Sequence, residues 1–349
     1  MDSGMQQRPP ARASARETVL LGATVLLPAR AQGAVLRRPR MARLAARFDT
    51  NRWTHRTLAR LRRRHGAGPV SVAVPGRRLL LLLAPQDARH LFTTTQATRA
   101  TQEGHGALLH LAPHFPALTA RIHDEAQALL ALHRSSGRPL DWDDFSTAFR
   151  RVTRRVVLGD AARDAAAIAA YSALALLASH PEHANRVRAE SERTDHTRPA
   201  TADALPLLRA SILESLRLWP TPLAILRNTT AETTWHNGTT TPADTAVVFC
   251  STFFHRDVQH LPYADQFEPD AWLDGRNDNT WALAPLNHGP AKCPSQDLAL
   301  YIAATLLAAL LRGHKAFLLL PRRPLAPPVR LPHTIDHTSL RFALTPRSD

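Results

Sequence analysis

Cys293 is the side chain in this 349-residue chain with the most chemistry to offer. It lies in the segment Pro285-Leu286-Asn287-His288-Gly289-Pro290-Ala291-Lys292-Cys293-Pro294, directly ahead of an apolar stretch over residues 295–311. Gly289 and Pro290 force a turn, and Pro294 suits the first position of a helix, where its missing N–H costs nothing. A cysteine at such a point faces the positive end of the helix and free backbone N–H groups, which favour the thiolate. A buried structural cysteine fits this segment equally well on its own. Cys250 sits in the apolar run Val247 to Phe254 and reads as a small core residue.

A second pairing stands 76 residues upstream of Cys293: Glu214 and Arg217 in Glu-Ser-Leu-Arg, three apart on one helical face and followed by Leu218-Trp219-Pro220. Taken alone, that spacing describes a common surface ion pair. Two cysteines exclude a disulfide framework and a four-cysteine zinc site. No HExxH occurs among the 18 histidines, and the run His105, His110, His114 arises easily in a His-rich chain, so it is a weak metal signal.

The elements that must hold these residues are mostly helical. Helical periodicity covers residues 34–65, 116–132, 141–158, 164–179, 206–218 and 295–311. Val70–Val74 and Arg78–Leu83 read as a hairpin around Pro75-Gly76, with a short helix from Pro85 to Leu91 after it. Residues 93–106 are Thr-rich and read as loop. Residues 223–250 and 317–344 read as short strands between turns. Residues 1–33 are expected to form a flexible N-terminal segment ahead of a single domain over 34–349.

Basic residues outnumber acidic ones by 44 to 29, a formal net charge of +15, and only Lys292 and Lys315 are lysines. Eleven arginines fall between Arg37 and Arg64. No aromatic platform or recognition motif accompanies them, so they read as a solvated helix face and not as a nucleic-acid arm. The same surface would attract an acidic partner. Val19 to Ala29 has the outline of a signal peptide, but Gly22 and Pro28 interrupt it and an arginine-rich helix follows. No unbroken apolar run reaches transmembrane length, so no stable membrane span is expected.

Taken together, the segments around Glu214 and Cys293 resemble the ExxR helix and the cysteine loop of the cytochrome P450 superfamily. Their order and separation match, and so does the material between them. Residues 253–273, with Arg256-Asp257 and a Phe-x-Pro-x-x-Trp turn, are similar to that family's meander. Residues 66–91 resemble its first hairpin and following helix, and Ala173–Ala189 a helix pair with a His-Pro turn. The resemblance implies a mainly α, cytochrome P450-like helical fold with small β-sheets. It implies haem b (iron protoporphyrin IX) with Cys293 as the axial ligand of the iron, and Arg227 and His288 as cofactor-binding residues. It makes Glu214 and Arg217 structural, with no catalytic side chain beyond the haem. It further implies oxidation of a small apolar organic substrate with dioxygen and electrons from a ferredoxin-type redox partner, in the cytoplasm.

Against that pattern, Leu286 replaces the loop's usual aromatic, Ala291 a propionate-binding residue and Ser295 a glycine. Ala271 stands where the meander often adds a basic residue to the Glu–Arg pair. The helices on the distal side are expected to be partly missing. Ala166-Ala167-Ile168-Ala169-Ala170 occupies the place of an acid–alcohol pair that relays protons. The alternative implied by these departures is a non-catalytic haem binder or a degenerate remnant of the family.

Overall fold

The computed structural model describes residues 8–28, 39–74, 76–97, 115–154, 158, 160–194, 205–278, 280–288, 295–321 and 325–347. In chain order its elements begin with β1 (Ala11–Arg12), α1 (Ala15–Leu21) and a π-helical turn (Gly22–Leu26). Then come α2 (Pro39–Arg47), α3 (Thr50–His65), β2 (Val70–Val74), β3 (Arg77–Leu81), α4 (Gln86–Thr94) and β4 (Thr95–Ala97). The middle is helical: α5 (Phe115–Ser136), α6 (Trp142–Thr153), α7 (Asp160–Ser179), α8 (Pro181–Arg193) and α9 (Pro206–Leu218). Strands β5 (Ile225–Thr229), β6 (Thr233–Thr234), β7 (Thr240–Thr241) and β8 (Ala246–Phe249) lead to α10 (Ser251–Phe254). The chain ends with α11 (Gln296–Leu311), β9 (His314–Leu320) and β10 (Arg341–Pro346). This is the mainly α architecture with small sheets that the periodicity predicts.

Two cores divide the work. The larger is the helical one, where α7, α9 and α11 pack on one another and on α5 and α6. Every residue of α11 from Leu298 to Leu311 is buried, which explains why its sequence is apolar all round. The hydroxyl of Tyr171, inside α7, donates to the carbonyls of Leu140 (3.2 Å) and Leu340 (3.0 Å). Burial raises the proton affinity of that phenol, so it stays neutral. The smaller core lies against a six-stranded sheet of order β1-β2-β3-β8-β5-β4. Within it β2–β3, β8–β5 and β5–β4 run antiparallel, while β1–β2 and β3–β8 run parallel.

Two expectations change. Residues 8–28 are not a loose leader: Ala11 and Arg12 pair with Val70 and Ser71, and Leu21 and Val25 are buried in the sheet-side core. Part of the Thr-rich loop is strand, because Thr95–Ala97 satisfies the free edge of β5 through Thr229, Asn228 and Arg227. α7 is long and apolar enough to cross a membrane by length and composition, although Asp160, Arg163 and Asp164 interrupt any uncharged run. Most of it is buried against its neighbours, as a core helix is.

Candidate functional site

Pro206 opens α9, and the Glu190 carboxylate of α8 accepts from the N–H groups of Leu207 (2.8 Å) and Leu208 (3.0 Å), which have no partner within the helix. Burial raises the proton affinity of Glu190, partly offset by those two donors. The capped helix carries Glu214 and Arg217 into a fully enclosed position, each with no exposed side-chain surface. The ion pair is bidentate: Arg217 Nε donates to Glu214 Oε2 at 2.8 Å and Nη2 to Oε1 at 2.7 Å. The remaining guanidinium hydrogens go to backbone carbonyls of the meander, His255 (2.8 Å), Ala264 (3.0 Å), Tyr263 (3.3 Å) and Gln266 (2.8 Å). Glu214 in turn accepts from the backbone N–H of Glu268 (2.8 Å) and the indole N–H of Trp272 (2.9 Å). The pair is therefore a clamp on residues 255–272.

The meander position that the sequence marks for a third basic residue is Ala271, which is fully buried. The donor to Glu214 comes from the next residue, Trp272, whose indole supplies one N–H without a charge. The Phe-x-Pro-x-x-Trp spacing contained that signal, but only the turn of the 3₁₀ segment Pro269–Trp272 decides where the indole points.

His255 is the link between the clamp and the cysteine loop, and sequence reading passed over it. Its carbonyl accepts from Arg217, and its ring Nε2 accepts from the N–H of Ala284 at 3.0 Å. A ring that accepts at Nε2 is neutral. Full burial, reinforced by the Arg217 charge, pushes its pKa down to about 3. Arg256 is equally buried, pairs with Asp265 at 2.7 Å and donates to the carbonyls of Leu218, Leu331 and Pro332. Asp257 holds Arg62 of α3 by two hydrogen bonds, of 2.5 and 2.9 Å.

At the head of the cysteine loop, Asn287 takes a left-handed conformation (φ +72°), which asparagine tolerates better than most residues. That bend turns its Oδ1 toward β5, where it accepts from Arg227 Nη2 at 2.8 Å. Arg227 is 2% exposed, and its other hydrogen bond goes to the carbonyl of Leu226. Among the described residues no carboxylate pairs with it, and burial alone lowers its pKa. His288 donates from Nε2 to the carbonyl of Leu283 at 2.7 Å, with its ring beside Phe92 and Trp281. Leu286 packs, partly buried, against the helical core. The fold thus brings Arg227, Asn287 and His288 together.

Cys293 and Ala291 lie outside the described residues, as do His105, His110 and His114. Among the described residues no cluster of histidine, cysteine and acidic side chains could hold a metal ion. Cys250 is 1% exposed, and burial pushes its thiol up to about 12, so it is protonated at neutral pH. On α7, Ala166 to Ala170 are all buried, and Ile168 packs on Leu223. The carbonyl of Ala169 accepts from the Ser215 hydroxyl of α9 at 2.8 Å. Ser172 lies one helical turn beyond Ile168 on the same face, with its hydroxyl buried and without a partner among the described residues.

A family model described as Cytochrome P450 matches residues 158–328. A cyclooctat-9-en-7-ol 5-monooxygenase from Streptomyces melanosporofaciens is 36% identical over 140 residues, covering 39% of this chain and 30% of that protein. Cytochrome P450 52-M1 from Starmerella bombicola is 31% identical over 219 residues, covering 55% of this chain and 40% of that one. The matched lengths are thus well under half of these relatives. A solved zebra fish cytochrome P450 structure with abiraterone superposes with a TM-score of 0.64 over 85% of this chain and 99% of that one, at 15% identity, a likeness of fold alone.

Proposed function

This chain belongs to the cytochrome P450 superfamily, and we propose that it is a haem-thiolate monooxygenase acting on a small apolar organic substrate. The observation that carries the proposal is Arg227. A guanidinium 2% exposed, with no acid beside it among the described residues, costs several kcal/mol of lost hydration. That cost is offset when an anion of the cofactor joins it, and a haem propionate is such an anion. Asn287 ties the same guanidinium to the cysteine loop, so an anion bound there would hold the loop as well. The protein fits haem b in this respect.

On this reading Cys293 is the iron ligand, Arg227 holds a propionate, and His288 braces the loop through Leu283 while its ring closes the site's edge beside Phe92. Bound haem supplies oxygen activation, helped by electron density from the thiolate. Glu214 and Arg217 touch no reactant: they fix residues 255–272, and His255 passes that order to Ala284 at the start of the loop. The basic surface would dock an acidic electron donor of the ferredoxin type. A cytoplasmic location goes with this reading.

A second reading, a non-catalytic haem binder or degenerate remnant, draws on α7. Ala166 to Ala170 offer neither acid nor hydroxyl to hold or move a proton. Reconstituting the protein with haem and recording the reduced carbon-monoxide difference spectrum tests the common part of both readings. Arg227→Met is expected to leave the haem-free protein as stable as wild type or more so, because a lone buried charge is gone. The same variant is expected to weaken haem retention at least tenfold. Haem retention unchanged by Arg227→Met would remove the basis of the proposal. Product formation with a surrogate redox chain separates the two readings.

A further inference from the structure

Away from Arg227 and the cysteine loop, a cavity of about 660 Å³ opens between the N-terminal helices α2 and α3 and the segment 329–333. That volume falls within the roughly 300–1,000 Å³ of small-molecule sites. The walls are cationic. Arg47, at the end of α2, and Arg52 and Arg56, on successive turns of α3, line one side, and Arg330 lines the other. All four are exposed, and none has a carboxylate partner among the described residues. Against five lining arginines stand two aspartates, Asp49 and Asp265. Asp265 is committed to the fifth arginine, Arg256, through hydrogen bonds of 2.7 and 3.1 Å.

Two histidine rings, His55 and His333, also line the cavity, 5.4 Å apart between centroids. His55 Nε2 and His333 Nδ1 are both enclosed without a hydrogen-bond partner among the described residues. Burial keeps both rings neutral, and the neighbouring Arg256 charge works in the same direction. Unpaired guanidinium groups arranged on three separate segments around a concave space form a site for a multiply charged ligand. Arginine forks match phosphate oxygens in pairs, which favours phosphate over a lone carboxylate.

We propose that this cleft binds a small soluble polyanion carrying two or more phosphate groups. A single charge would leave most of the cationic wall unanswered, whereas a diphosphate or triphosphate offers several charges to it. The site shares no residue with Arg227, Asn287, His288 or Cys293, so it stands whether or not the haem reading does.

The test titrates the full-length protein with inorganic pyrophosphate in about 150 mM salt, the ionic strength at which exposed, diffuse charge is largely screened. Calorimetry and the melting temperature are followed together. Saturable one-site binding is expected, weakened at least tenfold in the Arg52→Gln/Arg330→Gln double variant. It should be unchanged in Arg60→Gln/Arg63→Gln, which removes two exposed arginines of α3 that do not line the cleft. In the wild-type protein the ring resonances of His55 and His333 should move on titration while those of His180 stay, a readout that needs no variant. The proposal is overturned by equal weakening in the two double variants, by silent His55 and His333 resonances, or by no saturable binding. It is equally overturned if phosphatidylglycerol vesicles bind and pyrophosphate does not, since exposed Phe48 and Trp53 would then be marking a lipid surface.

Discussion

Arg217 is the residue whose removal should cost this protein most. Replacing it by alanine leaves Glu214 ionised and fully enclosed with two N–H donors and no cation. An uncompensated buried charge costs about 3–5 kcal/mol. The four meander carbonyls of His255, Tyr263, Ala264 and Gln266 lose the guanidinium donor at the same time, at about 1 kcal/mol or more each. The total rivals the roughly 5–15 kcal/mol net stability of a domain. The Arg217→Ala protein is therefore expected in the insoluble fraction, or soluble without a cooperative thermal transition. Trp272→Phe provides a graded companion. It keeps a ring in place and removes one hydrogen bond to the carboxylate, worth about 2 kcal/mol. At roughly 2–4 °C per kcal/mol for domains of 150–250 residues, a fall of about 4–8 °C is expected, with this longer chain at the lower end. The assay is calorimetric melting of both variants beside wild type, with circular dichroism to check helix content. An Arg217→Ala protein that melts with wild type would refute the clamp. So would a Trp272→Phe loss larger than that of Arg217→Ala.

The other predictions concern the ligand, proton linkage and turnover. Cys293→Ser should abolish the thiolate-type carbon-monoxide spectrum of the reconstituted protein, while Cys250→Ser should keep it; loss in Cys250→Ser alone would reverse the ligand assignment. Burial depresses His255 and His333 to about 3 and His337 to about 4, well below the unfolded value near 6.5. Because the unfolded chain takes up these protons first, stability from the neutral rings is complete above pH 7 and is lost as pH falls below 6.5. The combined slope should approach about 4 kcal/mol per pH unit near pH 5. Urea midpoints at pH 8, 7, 6 and 5 measure it, and a flat profile from 7 to 5 would contradict the neutral-ring assignment. Finally, with neither acid nor hydroxyl over residues 166–170, oxidation through a ferredoxin chain should yield little product per NADPH. Added hydrogen peroxide, which carries its own electrons and protons, should perform better. Tight coupling through ferredoxin would point to a proton route elsewhere, with the buried Ser172 hydroxyl the first to test.

The sequence alone determined the helices and the clamp's two charged partners. Periodicity is a local property, so α9 and α11 were legible from apolar spacing, and α9 also from Pro206 and Pro220 at its ends. Glu214, Arg217 and the apolar run after Cys293 needed only order and spacing to stand out. What the sequence left open was burial. A Glu–Arg pair three apart looks the same on a surface or in a core, and only the meander folding over α9 enclosed it. Trp272 in place of a basic residue, His255 as the tie to Ala284, and Asn287 as partner to Arg227 each join residues 29 to 60 positions apart. No local pattern encodes such contacts. The same holds for the N-terminal segment: composition marked it as loose, but Ala11, Leu21 and Val25 found a strand and a core to bury against. Local spacing fixes which face of an element is apolar; tertiary packing decides what that face meets, and with it which charges lose water and require a partner.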